Sequence, residues 1–133
     1  MKTNFLRKII AVALCGFGMW VVAGLWHNLI LPSLYKDTHA THDGLGFMLA
    51  AYFVLAGFMV YLYPLVFIRN KPIINGMKLG MFVGVLWIFP YTLVMAGAHE
   101  TSAVYVFKNT LWHIVEQGIG GIIVASILRK GEI

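Results

Sequence analysis

Charge is scarce in this chain: 11% of its 133 residues are Asp, Glu, Lys or Arg, where soluble domains carry roughly 25%. Acidic groups are the scarcest, 5 against 10 Lys and Arg, while 60% of the residues are hydrophobic. A soluble domain of this size could not keep so much apolar surface from water. Cysteine is nearly absent too. Cys15 stands alone, which excludes a disulfide or a Cys-x-x-Cys pair within the chain and with it ordinary thiol redox chemistry. Cys15 is expected to be a small packing residue. No strand-like run precedes a glycine-rich phosphate loop, and no serine lies in a nucleophile-elbow setting.

Long apolar runs take the place of charge. About 20 apolar residues cross a hydrocarbon core as a helix. Four segments qualify, residues 9–31, 45–68, 74–98 and 104–128, and the first is closed by Pro32. The gaps are short, so the expected fold is all-α: a polytopic, up-down four-transmembrane-helix bundle that fills a single domain, 1–133. The start resembles a signal peptide, with Lys2, Arg7 and Lys8 before an apolar stretch. A lipoprotein site would place a small residue before the cysteine, and Leu14 stands there instead. The run also continues to Leu31, too long for a signal core. An uncleaved anchor is expected.

Orientation follows from the basic residues. Lys2, Arg7 and Lys8 precede the first run, Arg69, Lys71 and Lys78 flank the second gap, and Arg129 and Lys130 follow the fourth run. Only Lys36 and Lys108 fall on the other side. That asymmetry predicts cytoplasmic N- and C-termini and a multi-pass protein of a bacterial cytoplasmic (inner) membrane. The net charge of +5 and pI near 9.5 then describe a membrane surface. Anionic lipid headgroups are the expected partners and nucleic acid is not.

Small residues predict how the helices approach one another. Gly76, Gly80 and Gly84 recur every four residues on one helical face, and the fourth run carries Gly118 and Gly121. Such stripes let two backbones come close in lipid, either within the bundle or against another subunit. Pro90 is expected to kink the third run. Trp26 and Trp112 suit an outer aromatic belt, and Trp20 and Trp87 are expected to pack more deeply.

The histidines gather towards the outer face: His27 ends the first run, His39 and His42 lie in the first outer loop, His99 ends the third run, and His113 opens the fourth. Asp37, Asp43 and Glu100 share that face. Glu116 is the most informative residue. It lies eight residues past Lys108, about 12 Å deeper along a helix. An ionised carboxylate near the bilayer centre costs about 2.5–3.5 kcal/mol on insertion scales, so such a residue is by default a candidate functional site. His113 lies three residues earlier on the same face, and Gln117 adds an amide.

Several readings of this cluster stay open. His113 and Glu116 could hold a divalent metal with ligands from His27, His39, His42, Asp43, His99 or Glu100. His27 and His113 could clamp a haem or line a quinone pocket. Glu116 could instead bond to His113 and only fix the packing. Trp26, His27 and Asn28 also suit an interfacial anchor.

Trp26-His27 followed by Leu34-Tyr35, then Tyr61-Leu62-Tyr63-Pro64 and the glycine-striped third run, resembles an uncharacterised group of small bacterial four-span membrane proteins. That resemblance implies the architecture and no catalytic residues. The leading expectation is a non-catalytic membrane subunit, packed against itself or a larger inner-membrane complex through its glycine-lined faces. The alternatives are an outer-face metal- or cofactor-binding protein and a small carrier with Glu116 as its proton-binding group.

Overall fold

In the computed structural model, residues 5–30, 32–35, 42–66, 70–99 and 101–129 are described, and of residues 34, 35, 42 and 43 only the backbone. Four long helices account for nearly all of them: α1 (Phe5–Leu25), α2 (His42–Val66), α3 (Pro72–His99) and α4 (Ala103–Leu128). There is no strand among the described residues. Four segments are long and apolar enough to cross a membrane: Phe5–Ile30, Gly44–Val66, Pro72–His99 and Ala103–Leu128.

Local chemistry sets the helix ends. Arg7 and Lys8 lie inside α1, because straight-chain cations are good helix formers even where they end an apolar run. Past Leu25 the backbone widens into one π turn, Trp26–Ile30. A π turn moves backbone donors one residue along, from i+4 to i+5. Two side chains cover carbonyls there: His27 Nδ1 donates to Ala23 O at 2.7 Å, and Asn28 Nδ2 to Gly24 O at 2.8 Å. His42 opens α2 instead of lying in a loop. Pro72 begins α3, where its missing N–H is harmless. Ser102 caps α4 and accepts from Tyr105 N at 3.2 Å. Pro90 lies within a continuous α3, and the Thr92 hydroxyl donates to Ile88 O at 2.9 Å in the following turn.

Consecutive helices pack in two pairs, α1 with α2 and α3 with α4, and α1 joins the pairs by packing along α4. The α2–α3 side is only lightly closed. Half of the spanning window of α4 is buried, against 28% in each of the other three. The least apolar helix is therefore the central one. On α1, Ala11, Cys15, Met19 and Ala23 form a fully or nearly fully buried stripe with a four-residue period. On α4, Trp112, Glu116, Gly120, Val124 and Leu128 form another. The two stripes meet where Cys15 Sγ lies 3.4 Å from Gly120 O, and where Trp26 stacks on Trp112, ring centroids 4.2 Å apart and 7° from parallel.

The α3–α4 contact is closer still. A Cβ at Gly80 would collide with the carbonyl of Gln117, one at Gly76 with the carbonyl of Gly121, and one at Gly84 would come within 2.6 Å of His113 O. From the α4 side, a Cβ at Gly121 would collide with Gly76 O, and one at Gly118 would lie 3.1 Å from Met81 Cγ. Numbers rise along α3 as they fall along α4, so this pair is antiparallel. The stripe on α3 is thus covered by α4 of the same chain. Of the two deeper tryptophans, Trp20 packs against the core, whereas Trp87 is 46% exposed and projects outward.

Candidate functional site: a buried polar centre on α4

Glu116 is thirteen residues from Ala103 and twelve from Leu128, at the middle of α4. At about 1.5 Å per residue each end of the helix is nearly 20 Å away. The side chain is fully buried. Its position on the stripe that faces α1 puts it one turn from the Trp26–Trp112 stack and one turn from the Gly120 contact.

One carboxylate oxygen is held: His113 Nδ1 and Glu116 Oε2 are 2.8 Å apart. Both residues belong to α4, so this bond orients the carboxylate without tying one helix to another. The proton between the two atoms can reside on either: an ionised Glu116 accepts from Nδ1–H, and a protonated one donates to a bare Nδ1. The other oxygen, Oε1, has no hydrogen-bonding partner among the described residues. Gln117 is also fully buried, and neither atom of its amide is partnered there. The same holds for Thr110 Oγ1 and Trp112 Nε1.

Each buried polar group left without a partner costs about 1–3 kcal/mol. Structural polar networks are stabilising only when every member is satisfied. Five orphaned atoms within two turns of one helix do not meet that condition. They are unpartnered on two faces of α4: Trp112 and Glu116 lie on the stripe towards α1, and Gln117 lies where the α4 backbone meets α3.

Of the other expected residues, His27 and His99 lie near helix ends. His27 bonds to its own helix in the π turn. His99 ends α3 and is exposed. His42 begins α2, its side chain outside the description, and His39, Asp37 and Glu100 lie outside the described residues. Of the proposed cluster, the pair brought together is His113 with Glu116. No group of three His, Cys, Asp or Glu that could hold a metal ion occurs among the described residues. Sequence reasoning missed Thr110 and Trp112 as members of the centre. The signal for Trp112 was the four-residue stripe through Trp112, Glu116 and Gly120; Thr110 lies off that stripe and had none.

No family model, curated protein or solved structure matches the chain. Fold and site together define a class: four membrane-length helices among the described residues, with a buried, part-satisfied carboxylate midway along the fourth.

Proposed function

We propose that this chain is a small, non-catalytic, multi-pass protein of the bacterial cytoplasmic membrane, with both termini in the cytoplasm. Its working part is the His113–Glu116 pair, which takes up and releases a proton at mid-membrane as the coupling group of a small carrier. The observation that carries this reading is the half-satisfied, fully buried carboxylate of Glu116 at the midpoint of α4. Coupling-ion sites of carriers lie near the bilayer midplane, and acids inside spans mark proton relays. Glu116 is the only Asp or Glu within the four spanning segments. Loss of its proton leaves an uncompensated negative charge there, so a cargo exchanged for that proton would be a cation.

The test is infrared spectroscopy of the protein in vesicles, following the carboxylic C=O band as pH is varied. A band that titrates in the wild type and is missing in Glu116→Gln is expected. A titration unchanged by that substitution, or no titrating band, overturns the proposal. Carriage itself is read as cation uptake driven by an imposed pH gradient, and lost in Glu116→Gln.

A second reading, a subunit of a homo-oligomer or larger membrane complex, has its own observation. Only 28% of the spanning window of each of α1, α2 and α3 is buried, and Phe17, Val54, Phe58, Phe82 and Leu86 are exposed, which leaves apolar faces for partners or lipid. The glycine stripe no longer argues for it, being occupied by α4. The mass of the particle in mild detergent, and the chains that copurify, decide this reading.

A further inference from the structure

Between the first turns of α1 and the middle of α2 runs an open groove of about 400 Å³, lined by Phe5, Lys8, Ile9, Val12, Ala13 and Phe53. The five α1 residues recur at i, i+3, i+4, i+7 and i+8, one face of a helix. Phe53 closes the groove from α2, and Gly16 lets it do so: a Cβ there would come within 3.0 Å of the Phe53 ring. Lys8 is the one polar residue in the lining. It is exposed, it makes no hydrogen bond or ion pair among the described residues, and α1 contains no acid. Arg7 precedes it.

We infer that this groove is a binding site for one anionic phospholipid, its phosphate at Lys8 and an acyl chain laid along Ile9, Val12 and Ala13 to Phe53. The inference rests on the membrane placement proposed above and is independent of the proton chemistry. The chemistry of the lining selects the occupant. A wall of aliphatic and aromatic side chains does not hold a hydrated ion, and Lys8, which joins that wall through its methylenes and has no hydrogen bond or ion pair among the described residues, favours a ligand that is anionic beside it. Basic pockets between membrane helices on the cytoplasmic side take anionic headgroups in this way, and Lys8 belongs to the basic cluster assigned to that side.

The test uses the full chain in phosphatidylcholine vesicles doped with spin-labelled phosphatidylglycerol or spin-labelled phosphatidylcholine, and reads the motionally restricted fraction. One lysine at the headgroup level gives about a five-fold preference for the anionic lipid. Lys8→Gln is expected to lower the preference for the anionic lipid about five-fold without changing the unfolding temperature. Ala13→Trp, which keeps the lysine and fills the groove, is expected to reduce retention of both. Soluble glycerol phosphate is expected not to displace the labelled lipid. Parity in the inserted wild type, an unchanged preference in Lys8→Gln, displacement by glycerol phosphate, or a cross-link from position 13 to a second copy of the chain would each overturn the lipid site. Glu116→Gln leaves the preference unchanged, which separates failure here from failure of the proton-binding reading. A chain that does not enter the vesicles at all sinks the membrane placement itself.

Discussion

Gly80 of α3 lies against the carbonyl of Gln117 of α4, in contact so close that no side chain fits between them. Gly76 and Gly121 meet in the same way one turn along, and Gly84 does so with His113. The backbone that carries the polar centre is therefore held against α3 at the residues of the centre itself. Between tightly packed backbones, dispersion and shape supply the association that water would otherwise drive.

Substitution at this contact is expected to be costly. Gly80→Ala forces the two backbones apart and should destabilise by about 1–3 kcal/mol, the usual range for overpacking. Gly97→Ala, on the same helix with nothing within 4 Å of its added Cβ, should be neutral or slightly stabilising. Thermal unfolding in detergent compares the two. Equal behaviour would remove the α3–α4 contact from the account.

The Trp26–Trp112 stack joins the π turn of α1 to the first turns of α4. A double-mutant cycle with alanine at both positions should return a coupling of about 0.5–1.5 kcal/mol. Additive losses would mean that the two rings do not hold those helix ends together.

His113→Ala deprives Glu116 of its one hydrogen-bonding partner among the described residues. The loss is expected to be about 1–3 kcal/mol, the penalty of a newly orphaned buried group. Adding Glu116→Leu to His113→Ala should recover most of it, because removing both members of a buried pair is often nearly neutral. A double variant weaker than His113→Ala alone would show that the carboxylate has a partner other than His113.

Orientation is open to direct labelling. Cys15 is fully buried, so Cys15→Ala should give a folded background for single cysteines. A membrane-impermeant maleimide added to intact cells should label a cysteine at position 39 and spare one at position 130. The reverse pattern would invert the map, and Lys8 would then face the outer leaflet.

Much of this was readable without a fold. Runs near 9–31, 45–68, 74–98 and 104–128 anticipate the four helices to within a few residues, except that α1 ends at Leu25 where the backbone turns into the π segment Trp26–Ile30; the earlier starts at Phe5 and His42 add turns that contain Arg7, Lys8, His42 and Asp43. The His113–Glu116 bond was legible because it is local: residues three apart on a helix meet whatever surrounds them. That His27 bonds to the carbonyl of Ala23 was not, since the π turn that allows it is not visible in the sequence.

By itself the sequence determines the number and approximate length of the helices and the position of Glu116 midway along the fourth, because the 1.5 Å rise depends on no neighbour. Only the tertiary structure decides which face of each helix points inward. In a chain this apolar the faces turned to the core and to the surroundings are alike in hydrophobicity, so periodicity cannot distinguish Trp20 from Trp87. The same packing made α4 the central helix, used the glycine stripe within the chain, and left Glu116 and Gln117 buried with polar atoms unpaired.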